Sequence, residues 1–214
     1  MGLLQKLPCL VSLVLFAVLS YSADTAFASV EEVNALLKWK ETLWSANRSV
    51  TQLKLTNSGL NCTLETFSFS LFPNLAYVDL NTNELSSPIP PQISSLPLVY
   101  LDLSANEFSG TIPPEIGHLK NLKTLHLEES QFHSSIPPEM GQMTSLSELA
   151  LHTNSLSGPI PSSLGNLSNL VSIYLYDNQL SGSIPEEIET TPILGSFAWK
   201  TTDSLAPFYL LLET

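Results

Sequence analysis

The chain has 214 residues, enough for one ordinary domain, and 43% of them are apolar, enough for a packed core. Eight Lys and Arg stand against 20 Asp and Glu, giving a formal charge of -12. That balance argues against nucleic acid and anionic lipid as partners, since both are polyanions, and it suits a basic ligand.

Residues 1–28 have the order of a cleaved secretory signal: Lys6, then an apolar run from Leu7 to Leu19, then Ala26-Phe27-Ala28 as a small-x-small site before Ser29. The run is short for a membrane span. The most apolar later stretch, Ile193 to Leu212, is interrupted by Lys200, Asp203 and Pro207, so no membrane span is expected in this chain. The expected location is secreted, outside the cell. Loss of Cys9 with the signal would leave Cys62 as a free thiol. Asn47, Asn61 and Asn166 each open an Asn-x-Ser/Thr sequon, and they are the N-glycosylation candidates.

Residues 29–49 form the expected amino-terminal cap. Ser29-Val-Glu-Glu32 has the form of a capping box, and Val33, Leu36, Leu37 and Trp44 fall on one helical face. An amphipathic helix from Glu31 to about Trp44 would cover the open end of whatever follows.

From residue 50 to 193 a phrase recurs, as in LDLSANEFSGTIPPEIG from Leu101 and LALHTNSLSGPIPSSLG from Leu149. Units start at Val50, Leu75, Leu98, Leu122, Leu146 and Leu170, the last four starts being 24 residues apart. A fixed period of this size predicts a solenoid of about six leucine-rich repeats. Apolar residues at the first, fourth and sixth positions of each unit describe a short strand with one buried face. The ninth position is Asn83, Asn106, Asn154 and Asn178 in four units. A carboxamide there can both donate to and accept from the backbone where strand pairing stops, so these amides are expected to form a structural ladder. The phrase SGxIP then bends the chain to the convex side, where Ile93, Ile116, Met140, Leu164 and Ile188 should face inward. The fold class is an α/β leucine-rich-repeat solenoid with short parallel strands on the concave face, an irregular or 3-10 convex side and an amino-terminal capping helix.

The pattern LxxLxLxxNxLxGxIPxxLGxL, with the helix EEVNALLKWKETLW and the run LVSIYLYDNQLSGSIP, resembles the extracellular part of plant leucine-rich-repeat receptor-like kinases, and within them the male-discoverer-interacting class. The resemblance implies an ectodomain on the outer side of the plasma membrane that binds a peptide, a protein ligand or a co-receptor ectodomain, joined to a spanning helix and a cytoplasmic Ser/Thr kinase. No Gly-rich phosphate loop, HRD-type loop or DFG occurs in these residues, so no enzyme activity is expected of them. The family's cysteine pair between cap helix and first repeat has no counterpart, because only five residues separate Trp44 from Val50. Glu189 and Thr191 replace the Gly and Leu of the pattern, which fades across 194–214 after Phe197 and Trp199. The resemblance therefore implies a truncated receptor product, with uncapped ends through which copies could self-associate. A secreted inhibitor of cell-wall-degrading enzymes, of the polygalacturonase-inhibitor kind, is the alternative, and a non-functional fragment is a third reading.

In such a solenoid the third, fifth, seventh and eighth positions point out of the concave sheet. They put Tyr77, Asp79, Asp102, His126, Glu128, His152, Tyr174 and Tyr176 on one face, acidic in the middle with aromatics beside it. Asp79 and Asp102 in adjacent coils repel unless a cation lies between them, which makes them a candidate subsite for a basic peptide group. Tyr174 and Tyr176 would serve as amphipathic anchors. A pH-sensitive pairing of Glu128 with His152 is a further expectation. Strand neighbours on an open face do not converge on one ion, so no metal and no cofactor is expected, and no nucleophile has a base at readable spacing.

Overall fold

The computed structural model describes residues 50–189, apart from Thr66 and Ser68, and the short strand at Ser196–Ala198. The expected signal, the Glu31 to Trp44 helix, Asn47 and the tail from residue 199 lie outside the described residues.

Two kinds of strand alternate along the chain: β1 (Gln52–Lys54), β2 (Tyr77–Asp79), β3 (Ser86–Ser87), β4 (Tyr100–Asp102), β5 (Glu107–Gly110), β6 (Thr124–His126), β7 (Gln131–Ser134), β8 (Glu148–Ala150), β9 (Ser155–Pro159), β10 (Ser172–Tyr174), β11 (Gln179–Ser181) and β12 (Ser196–Ala198). The concave wall is a seven-stranded sheet in the order β1-β2-β4-β6-β8-β10-β12, and every pairing in it is parallel. Its register repeats one unit per strand: Lys54 faces Asp79, Asp79 faces Asp102, Asp102 faces His126 and His126 faces Ala150. Phe197 faces Ile173, so the concave register continues one coil past the last full repeat.

Leucines at the expected positions close the interior; Leu98, Leu101, Leu103, Leu122, Leu125 and Leu127 are all fully buried. Val50, at the first unit's leading position, is the exception and is exposed. The opposite wall also matches expectation. Short 3-10 turns at Pro91–Ser95, Pro114–His118, Pro138–Gln142 and Ser162–Asn166 bury Ile93, Ile116, Met140 and Leu164. In the first three, proline at the helix start costs no hydrogen bond, because that N–H has no intrahelical acceptor. Coils approach closely here: a Cβ on Gly117 or Gly141 would land on the backbone carbonyl of Glu139 or Ser163 in the next coil. Only glycine fits those two places.

The structure adds a feature to the expected solenoid. The segment read as a simple bend is a second parallel sheet, in the order β11-β9-β7-β5-β3. Phe108 and Phe132 lie inside it as a stacked pair with centroids 6.2 Å apart, each fully exchanged from water for interior packing. Burying a side chain of this size contributes about 2–3 kcal/mol.

Between the two sheets the chain turns a left-handed corner at the eighth position of every unit: φ is 49° at Asn57, 57° at Thr82, 50° at Ala105, 53° at Glu129, 55° at Thr153 and 51° at Asp177. Each non-glycine residue held so costs roughly 1 kcal/mol. The corner is held because its N–H still finds the next coil: Thr82 donates to the Ser104 carbonyl at 3.1 Å, Ala105 to Glu128 at 3.0 Å and Thr153 to Tyr176 at 3.0 Å. The asparagine that follows locks it. The Asn106 amide donates to the carbonyls of Leu80, Leu103 and Ser104 at 2.9–3.0 Å, and its oxygen accepts the Leu85 N–H at 3.0 Å. Asn83, Asn154 and Asn178 make the same set, each reaching the sixth-position carbonyl of the preceding coil. The ladder is thus amide to backbone, and Ser58 and Ser130 take the asparagine's place in the other two units.

Cys62 corrects one expectation. Among the described residues no cysteine is free, and Cys62 is disulfide-bonded, so its sulfur carries no thiol proton.

Candidate functional site: the concave face

All eight residues picked from the sequence lie on or beside the concave sheet, but they form three groups rather than one. Nearest β1, Tyr77 and Tyr100 stack face to face, with centroids 4.2 Å apart and planes 3° apart, and Lys54 Nζ lies 4.5 Å over the Tyr77 ring. Both tyrosines occupy the third position of their units, so strand spacing brings the rings into contact. At the other end His152 stacks on Tyr176 at 4.3 Å and 7°, and meets Tyr174 edge-on at 6.3 Å.

Between these aromatic groups is a charged centre built on His126. Its Nδ1 lies 3.5 Å from Asp102 Oδ2 and 4.0 Å from Glu128 Oε1, and its Nε2 lies 3.4 Å from Glu148 Oε1. Asp102 is held from its own strand. Tyr100 O–H donates to Oδ2 at 3.1 Å, and Oδ1 accepts from the Ser104 N–H at 3.0 Å and from the Ser104 hydroxyl. Burial pushes the Asp102 carboxyl up, but the His126 contact and the two Ser104 donors outweigh it and hold it below the ordinary carboxylate value. Burial pulls His126 down, yet Asp102, Glu128 and Glu148 together raise it above its ordinary 6.5. Glu128 is raised, first by burial and then by like charge from Asp102 and Glu129, against the pull of His126. The Tyr100 hydroxyl is also raised, by burial and by Asp102, so it stays a donor.

The Asp79–Asp102 subsite is arranged differently from the expectation. Asp79 accepts from the Thr56 hydroxyl at 2.8 Å and from the Asn81 N–H at 3.3 Å, turning toward the preceding coil. Asp102 turns the other way, and the group beside it is the chain's own His126 ring. The expected Glu128–His152 pairing is also not formed. His152 is taken up by the Tyr176 stack and by Thr153 Oγ1, 3.1 Å from its Nδ1, and burial lowers its pKa. Tyr100 and Glu148 were missing from the sequence reading. Both stand at the third position, in the column Gln52, Tyr77, Tyr100, Thr124, Glu148, Ser172, and writing that column out would have revealed them.

Of the glycosylation candidates, Asn61 is exposed and its amide donates to Glu84 Oε2 at 2.7 Å, while Asn166 is exposed at the end of its convex 3-10 turn. Among the described residues no helix is long and apolar enough to cross a membrane, and no His, Cys, Asp and Glu group has metal-site geometry.

Comparison with known proteins agrees with this architecture. The Leucine Rich Repeat family model matches residues 97–119, 145–167 and 169–190. The chain is 44% identical over 108 residues to the MDIS1-interacting receptor like kinase 2 of Arabidopsis thaliana, a match covering 38% of this chain. It spans only 9% and 10% of the lengths of the two Arabidopsis receptor kinases it resembles, and both matches lie in the repeats. Among solved structures, Pollen Receptor Kinase 3 superposes with a TM-score of 0.67 at 30% identity, covering 78% of this chain and 80% of that one. The Arabidopsis HAESA ectodomain, solved with an extended IDA peptide hormone ligand, superposes at 0.54 with 33% identity over 67% of this chain and 29% of that one. A single periodic interior, two parallel sheets and these relatives have one reading in common: the chain belongs to the leucine-rich-repeat family, in the form carried by the ectodomains of plant receptor kinases.

Proposed function

We propose that the chain is an extracellular recognition module that holds a peptide or protein ligand on its concave face, as part of a receptor-kinase system at the plasma membrane. The observation that carries this reading is the arrangement on that face. A charged centre of buried Asp102 with partly exposed His126, Glu128 and Glu148 is flanked by two aromatic stacks, Tyr77–Tyr100 and Tyr176–His152. Rigid aromatic surface with a polar centre is how a few residues come to dominate binding energy. The peptide hormone bound by the HAESA ectodomain supports the ligand class. Glycans at Asn61 and Asn166, on the flank and the convex turn, would leave the concave face open.

The test is calorimetric binding of fractionated apoplastic peptides to the secreted chain, the double variant Tyr174→Ala plus Tyr176→Ala, and a convex control, Gln92→Ala, at an exposed position of the Pro91–Ser95 turn outside any sequon. The concave variant should lose about tenfold or more in affinity and the control almost nothing. Equal affinity in all three would remove the concave face as the site.

A further inference from the structure

The groups around His126 come from every element packed against it: Tyr100 and Asp102 on β4, Glu128 on its own segment, Glu148 on β8 and His152 just beyond β8. Two atoms of this cage, His126 Nε2 and Glu128 Oε2, are buried without a hydrogen-bond partner. A neutral imidazole has one N–H and one lone pair. If its N–H points at Asp102, the lone pair on Nε2 points at the Glu148 carboxylate 3.4 Å away, which is repulsive. A protonated ring has N–H groups on both sides, and the same two contacts become attractive. One proton therefore reverses the sign of a contact that joins β6 to β8.

We propose that the proton on His126 regulates the concave face: the imidazolium occupies Asp102, Glu128 and Glu148 from within, and its loss releases their charge to a basic group of the partner. The inference rests on the recognition reading above and adds its regulation. With the proton the three carboxylates are partly neutralised, and without it they carry their full charge between two aromatic walls. Because the cage holds His126 above 6.5, the release falls on the alkaline side of that value. By linkage, a basic ligand that displaces the proton must lower the His126 midpoint when it binds.

The probe is acetylated, amidated tetralysine, titrated calorimetrically against the whole chain at about pH 5.5 and about pH 8.5 at constant ionic strength. The wild type should bind roughly tenfold more tightly at the higher pH, the worth of about one pKa unit, and His126→Gln should bind with the same affinity at both. Glu148→Gln, at a half-exposed position, should weaken only the alkaline binding. On the wild type alone, NMR should show the His126 midpoint falling when tetralysine is added. Wild-type pH dependence retained in His126→Gln, or an unmoved His126 midpoint with the probe bound, would overturn the switch and leave the recognition reading standing. No tetralysine binding at either pH would remove the switch together with the basic-ligand reading.

Discussion

The two walls of the solenoid obey the same period and use it in opposite ways. On the convex wall the coils repeat one another, with proline leading into the turn, an apolar side chain buried beneath it and, at Gly117, Gly141 and Gly165, glycine where the next coil crosses. On the concave wall the fifth position reads Lys54, Asp79, Asp102, His126, Ala150 and Tyr174, with only Asp recurring. Periodicity marks what the fold needs, and the side chains that escape it, sitting on the most regular sheet, are where specific recognition can be built.

The largest expected effect is at Phe108, where Phe108→Ala empties a fully buried place in the phenylalanine stack and should cost about 3–5 kcal/mol in denaturant unfolding. Asn106→Ala comes next. It strips three donated bonds and one accepted bond from a buried corner, and a loss of about 2–4 kcal/mol is expected. Gly141→Ala forces a methyl group onto the Ser163 carbonyl and should cost about 1–3 kcal/mol, with a drop in melting temperature to match.

The pH dependence of stability is a smaller effect with a defined sign. A histidine whose folded pKa is raised stabilises fully below its unfolded value of 6.5, and that contribution is lost as pH rises through the folded value. Melting curves across this window should fall for the wild type and flatten for His126→Gln. Least of all, Tyr176→Ala should leave stability within about 0.5 kcal/mol, since the ring is partly exposed and stacks on His152 outside the core. A large destabilisation there would show that the concave face is scaffold after all.

Much of this was legible in the sequence. The leucine register, the asparagine corners and the inward residues of the convex wall follow from spacing, because each depends on what one side chain can bury or bond. The left-handed eighth position was not, since Thr82, Ala105 and Glu129 share no side-chain chemistry and the constraint lies in the backbone. Nor was the second sheet, which needs neighbouring coils to supply its hydrogen bonds. For the site, columns placed the residues but not their partners. Glu148 reaches His126 diagonally, from the next strand and two positions back, and Asp102 chooses His126 over Asp79 because its other oxygen is held by Ser104. Such choices depend on side-chain direction, which a period of 24 residues does not encode.

The most direct test of the charged centre is an NMR titration of the histidine rings in the intact chain. His126 should titrate above 6.5 and His152 below it, because carboxylates surround the first and burial against an aromatic ring dominates the second. The reverse order would contradict the cage around His126 and the recognition surface built on it.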